Sequence, residues 1–244
     1  MTLLEIRGAA KSFGGIRALN ACDVTVEEGE IAGLIGPNGS GKTTLFNIAT
    51  GYGRADSGEI YLGGRRITGA SPRRIFKLGV GRTFQLTRIF PRLTVVENMH
   101  VAAQRAGFLS MIRPWSSGRE QRRAMELLEF VGLAGLRQLQ AGALSYGQKK
   151  LLEFASILIA EPKVILLDEP AAGVNPTITS LMVDRIKALN RERGTTFLIV
   201  EHNMGFVMGL SHRVTVMHRG STICKGTPDE IRKDPEVLEA YLGD

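Results

Sequence analysis

Three short segments near the start of the chain alternate apolar with polar positions or gather β-branched residues: Leu3–Arg7, Asp23–Val26 and Glu59–Leu62. Glycine-rich turns separate them, which predicts an antiparallel sheet. Ile31–Ile35 differs: it is a continuous apolar run ending in glycine. That pattern predicts a strand covered on both faces, feeding a helix over Thr43–Thr50. Ser71-Pro72 marks a further helix start, with proline at the first helical position. From about Thr94 to Ala160 the apolar period is helical and no segment reads as a strand. Within it, Gln104–Gly118 collects Gly, Pro, Ser and Trp115, and predicts an irregular loop. From Lys163 the alternation of strand and helix returns. Strand Val164–Leu167, a helix from about Pro176 to Arg193, strand Thr196–Val200 and a helix near Met204–Leu210 are predicted in turn. A hairpin-like pair, Arg213–His218 and Ser221–Lys225, precedes short helices near Pro228 and Pro235. The prediction is an α/β chain with a mostly parallel core, an N-terminal antiparallel β subdomain and a helical insertion. The core occupies roughly residues 1–85 and 163–244 and the insertion roughly 86–162.

Composition narrows the classes. Of 244 residues, 43% are hydrophobic and 23% charged, ordinary for a globular protein. No run approaches the roughly 20 apolar residues that cross a bilayer. The opening residues read directly as a strand, not as an export signal. Cys22 and Cys224 form neither a CxxC pair nor a metal pattern, and are expected as reduced thiols in a cytosolic protein. The net charge of +7 suggests a polyanionic ligand. The basic residues, however, are spread along the chain, with small clusters at Arg65-Arg66, Arg73-Arg74, Arg119–Arg123 and Lys149-Lys150. Solvated faces and phosphate sites are the expectation, and no nucleic-acid partner.

The chemistry begins at Gly36-Pro37-Asn38-Gly39-Ser40-Gly41-Lys42-Thr43, which fits G-x-x-x-x-G-K-[ST] between a strand and a helix. Glycines at 36, 39 and 41 let the backbone curl so that successive N–H groups face one anion. The helix N-terminus, including Thr44, adds donors and the positive end of its dipole. Lys42 supplies a point charge for the β- and γ-phosphates, and Thr43 a hydroxyl for Mg²⁺. Val164–Asp168 is an apolar strand ending in acid, followed by Glu169. Ligands of open α/β sheets sit at the carboxyl ends of strands. Asp168 is therefore expected to hold Mg²⁺ through its water shell, and Glu169 to polarise the attacking water. Thr196–Val200 is followed by Glu201-His202-Asn203, which places His202 at an equivalent strand end, as a γ-phosphate contact.

Leu144-Ser145-Tyr146-Gly147-Gln148 precedes an apolar helix over Lys149–Ala160. Ser145 to Gln148 has capping-box spacing, and the helix start presents N–H groups and a hydroxyl suited to phosphate. The segment resembles the Leu-Ser-Gly-Gly-Gln signature of the ABC ATPases, with Tyr146 replacing the first glycine of the pair. With the loop at 36–43, Asp168-Glu169 and His202, the chain is similar to that family from Leu3 to Leu242. The resemblance implies a P-loop ABC-type ATPase using ATP and Mg²⁺. It implies that Ser145, Gly147 and Gln148 close on a partner subunit's nucleotide, two subunits facing head to tail. It also implies that Gln85, in Gly81-Arg-Thr-Phe-Gln85, contacts Mg²⁺ or water and senses a transmembrane partner, and that Phe13 stacks on adenine. Where the family commonly carries an aspartate after the catalytic acids, this chain has Asn175, which also suits a helix cap before Pro176.

The tyrosine in the signature, residues 81–98, Ala171–Pro176 and the ending Ala240–Gly243 narrow the resemblance to the branched-chain amino acid importer ATPases. That implies a peripheral subunit on the cytoplasmic face of the inner membrane. Its implied partners are a second ATPase subunit, identical or a paralogue, permease subunits and, indirectly, a periplasmic binding protein. Urea or amide uptake and lipopolysaccharide export are the alternative assignments. A tandem or coiled-coil nucleic-acid machine is disfavoured by the one P-loop and the lack of heptads. A non-hydrolysing module is disfavoured by Glu169.

Overall fold

The computed structural model describes residues 1–84, 87–103 and 118–242. Two sheets organise them. The first is antiparallel and runs β2-β1-β4-β5, built from β1 (Thr2–Phe13), β2 (Ile16–Glu27), β4 (Ser57–Leu62) and β5 (Arg65–Arg66). β1 and β2 extend well past the segments predicted for them. Register shifts between Ile6 and Ala9, and between Ala9 and Lys11, interrupt the alternation, so period 2 fails along the strand although the pairing continues. The second sheet runs β10-β9-β3-β8-β7-β6. Its parallel part joins β3 (Ile31–Ile35), β6 (Val80–Arg82), β7 (Val164–Asp168), β8 (Thr196–Val200) and β9 (Arg213–His218); β10 (Ser221–Gly226) lies antiparallel on β9. β6 was not expected: at three residues beside glycine, it carries no period of its own.

The central strands face two cores. Ile31, Ile35, Ile165, Leu167, Phe197 and Ile199 pack into one, with the helices. Their neighbours Ala32, Leu34, Val164, Leu166, Leu198 and Val200 pack into the other, with β1, β2, β4 and α1 (Lys42–Ala49). Continuous apolar strands are what burial on both faces demands. Helices α2 (Pro72–Lys77) and α3 (Val95–Ala103) lie before the next described segment. α3, α4 (Gly118–Phe130) and α5 (Tyr146–Leu158) then pack on one another, as the helical period predicted. The loop predicted over Gln104–Gly118 lies almost wholly outside the described residues. The remaining helices are α6 (Pro176–Arg193), α7 (Met204–Met208), α8 (Pro228–Lys233) and α9 (Pro235–Leu242). Asn175 caps α6, its Oδ1 accepting from the Ile178 N–H at 2.9 Å, with Pro176 next. No helix among the described residues is long and apolar enough to cross a membrane.

Candidate active site

Strands β3, β7 and β8 are parallel neighbours, so their carboxyl ends open on one edge. β3 leads into the glycine loop. Gly36 has φ +154°, and a side chain there would run into the Met217 carbonyl; Gly41 has φ +100° and would meet the Ala18 carbonyl at 2.5 Å. Only glycine serves at both positions. The loop is also tied down: the Ser40 carbonyl accepts from the Gly220 N–H at 3.1 Å. Lys42 is buried, and its ammonium donates to the carbonyls of Gly36 at 2.7 Å and Pro37 at 2.8 Å, and to Ser40 Oγ at 3.3 Å. Burial pulls its pKa down, against the opposing charges of Glu169 and Asp168. Thr43 is exposed at the start of α1, while Asn38 and Gly39 form the exposed tip of the loop.

Asp168 ends β7 and is buried. Its Oδ2 accepts from Arg82 Nη2 at 2.8 Å. Arg82 itself, from β6, donates to Asn47 Oδ1 and Thr50 Oγ1 of the α1 segment, each at 2.8 Å, and lies against the rings of Phe46, Tyr52 and Phe84. Glu169 follows with φ +47°, a left-handed conformation for a non-glycine residue. The side chain of His202 is 60% exposed, and its Nδ1 lies 3.9 Å from Glu169 Oε1. The glycine loop, both acids and His202 thus come together at one sheet edge, as their strand ends predicted. Gln85 lies outside the described residues.

The signature segment presents a different picture. Ser145 caps α5: its Oγ accepts from the Gln148 N–H at 3.3 Å, and the Gln148 side chain accepts from the Ser145 N–H at 2.9 Å. The capping box is as expected, although the helix starts at Tyr146, earlier than Lys149. Ser145 and Tyr146 are exposed and Gly147 is buried against Val174 and Ile178. Phe13 is 56% exposed at the end of β1, with Lys11 Nζ 5.4 Å from its ring centre.

Several residues of this edge escaped the sequence reading. Lys150 Nζ donates to the Phe84 carbonyl at 3.1 Å, and Glu153 Oε1 accepts from the N–H groups of Phe84 at 3.2 Å and Arg88 at 3.3 Å. α5 therefore grips the backbone on both sides of position 85. Burial pushes the Glu153 carboxyl up to about 7. Burial likewise raises the carboxyl of Glu201 and the phenol of Tyr241, the latter to about 12. The available signal for Glu153 was an acid on a helix apolar over most of its circumference, and for Glu201 an acid closing an apolar strand.

The model of the ABC transporter family matches residues 19–172, well over half of the chain and spanning the glycine loop, the signature and both acids. The chain belongs to the ABC transporter ATPase family. It binds and hydrolyses ATP, as that family does. A model of the branched-chain amino acid ATP-binding cassette transporters matches residues 221–244. Among curated relatives, the chain is 40% identical to the high-affinity branched-chain amino acid transport ATP-binding protein BraF of Pseudomonas aeruginosa, covering 99% of this chain and 98% of that one. It is 39% identical to the corresponding LivG protein of Escherichia coli, with the same coverage. Among solved structures, it is similar to an ATP-binding cassette of an ABC transporter in its ADP conformation, at 34% identity, full coverage of both chains and a TM-score of 0.88. It is also similar to a dimeric cassette in a post-hydrolysis state bound to ADP and phosphate, at 25% identity, 93% and 99% coverage and a TM-score of 0.81.

Proposed function

We propose that this ABC ATPase energises an importer of branched-chain or related amino acids. The observation that carries the ATPase chemistry is the convergence, at one sheet edge, of the 36–43 loop, Asp168, Glu169 and His202. The cargo class is supported by the named relatives and by the match of residues 221–244.

The main-chain amides of residues 36–43 and the start of α1 take the phosphates, with the side chains of Ser40 and Thr44 beside them. Lys42 exchanges its contacts with the Gly36 and Pro37 carbonyls for the β- and γ-phosphates. Phe13 stacks on the adenine. Thr43 and Asp168 offer hard oxygen donors, which suit Mg²⁺. Held there, Mg²⁺ would supply positive charge against that developing on the γ-phosphoryl oxygens. Glu169 accepts a proton from the attacking water, and His202 donates to the γ-phosphate. Gln85 completes this set as a contact to the ion or the water and as the link to the permease.

Ser145, Gly147 and Gln148 close over the nucleotide of a second ATPase subunit, so that each ATP lies between two chains. Ile89 and Phe90, beside Arg88 and Arg92, receive a permease helix at the cytoplasmic face of the membrane. A periplasmic binding protein delivers the cargo. The test of the cargo is uptake of radiolabelled leucine into cells with and without this chain. Loss of uptake on deletion is expected. Unchanged leucine uptake with lost uptake of urea or an amide would reassign the transporter.

A further inference from the structure

Glu201 closes β8 and is completely buried, at 0% exposure. Its two oxygens are spent on two different loops. Oε1 accepts from the N–H of Ala171, two residues past Glu169, the general base assigned above, at 2.7 Å. Oε2 accepts from the N–H groups of His202 at 3.2 Å and Asn203 at 3.4 Å, and lies 3.8 Å from His202 Nδ1. One carboxylate therefore fixes the loop that carries Glu169 against the loop that carries His202.

The backbone says why such a tie is needed. Glu169 holds φ +47° without being glycine. That conformation is unfavourable for a residue with a Cβ and persists only where its surroundings over-determine it. The anchors are visible on both sides. Before it, the Glu169 N–H donates to the Val200 carbonyl at 2.9 Å, at the end of β8. After it, the Ala171 N–H reaches Glu201, and the Ala172 N–H turns back to the Glu169 carbonyl at 3.2 Å. Removing the contact to Ala171 takes away the bond that ties the segment after Glu169 to the end of β8.

Nor does Glu201 earn its place through stability. Burial drives its carboxyl upward in pKa, against the amides of Ala171 and Asn203, which favour the charge. A buried carboxylate is an expensive way to fill space, and here its oxygens are what the amides of Ala171, His202 and Asn203 donate to. What it supplies is a fixed separation between two loop backbones.

We propose that Glu201 is a positioning residue for hydrolysis, which locks the Glu169 loop and the His202 loop into one arrangement without touching the nucleotide. This rests on the roles assigned above to Glu169 and His202. The test is Glu201→Gln in the full chain. The amide keeps one acceptor and turns the other into a donor, so one loop is released whichever way it rotates. ATP affinity, read with a fluorescent ATP analogue, and KM should stay within about threefold, because the 36–43 loop is unaltered. kcat should fall at least tenfold, with a melting temperature within a few degrees of wild type. A merely structural role would instead lower the melting temperature and reduce kcat only as the folded fraction falls.

A second measurement guards against misfolding. Lactate incorporated in place of Ala171 replaces the N–H that donates to Glu201 with an ester oxygen and leaves every side chain in place. It should reproduce the drop in kcat, and combining it with Glu201→Gln should add little further loss. Wild-type turnover in Glu201→Gln, or full turnover in the Ala171 ester, overturns the inference and leaves the ATPase reading intact. Absence of hydrolysis in wild type, or wild-type turnover in Glu169→Gln run alongside, overturns the assigned roles and this inference with them.

Discussion

The loop at 36–43 and the start of α5, both proposed above to receive phosphate, are built in opposite ways. The first is set by main chain: two glycines in conformations closed to other residues, a buried lysine folded onto the loop's carbonyls, and a tie from Ser40 to Gly220. The second is set by side chains at the surface. Ser145 and Gln148 already satisfy each other's amides in a capping box, and Ser145 and Tyr146 are exposed. A site of the first kind is expected to bind its ligand unaided. A site of the second kind is stable without ligand and, under the proposed function, is expected to gain phosphate only when another surface brings it. The difference is what a half-site offered to a second subunit should look like.

The largest effect expected concerns the first region. Lys42→Ala removes a charge-assisted contact on the order of 3 kcal/mol, so calorimetric ATP affinity should fall by about 100-fold or more. Retained affinity would break the assignment. Next, Glu169→Gln should lose on the order of 10²–10⁴-fold in kcat while binding ATP, and should accumulate as a dimer in size-exclusion chromatography with light scattering. Dimers in the absence of ATP, or none in its presence, would count against the half-site. Ser145→Ala should then cost about 1 kcal/mol of stability in urea titration through the lost cap, with a single chain's ATP affinity unchanged and hydrolysis reduced. Phe13→Ala should raise KM for ATP by only a few fold, the worth of one stacking contact.

Glu153 sharpens the comparison through pH, because it ties the second region to the segment flanking position 85. Its carboxyl is held near 7, above its unfolded value of 4.5, by burial. The folded chain therefore binds more protons than the unfolded chain between those values. Stability contributed by the neutral carboxyl is fully present below about 4.5 and is lost as pH rises through about 7. Glu153→Gln should flatten the fall in denaturant stability between pH 5 and pH 7 relative to wild type. An unchanged slope would mean that the carboxyl does not titrate there.

Local features of this molecule were legible and tertiary partnerships were not. The glycine loop, the capping box at Ser145 and the cap at Asn175 followed from spacing alone, since each is made by residues within a few positions. The core strands followed from their continuous apolar runs. The lengths of β1 and β2 did not, because bulges shift the alternation. The partner of Asp168 was out of reach for a different reason. Arg82 meets it only because β6 and β7 are neighbours, and β6 is too short to announce itself. Glu201 likewise reaches Ala171 only through the adjacency of β7 and β8. Strand order is long-range information, and single-residue patterns do not carry it.

The most direct measurement is the structure of Glu169→Gln with ATP and Mg²⁺ bound. It should show the triphosphate within hydrogen-bond distance of the amides of residues 36–43 in one protomer, with the α5 start of its mate on the γ-phosphate. Nucleotide bound at any other surface, or these two segments facing away from each other in the nucleotide-bound dimer, would contradict the account.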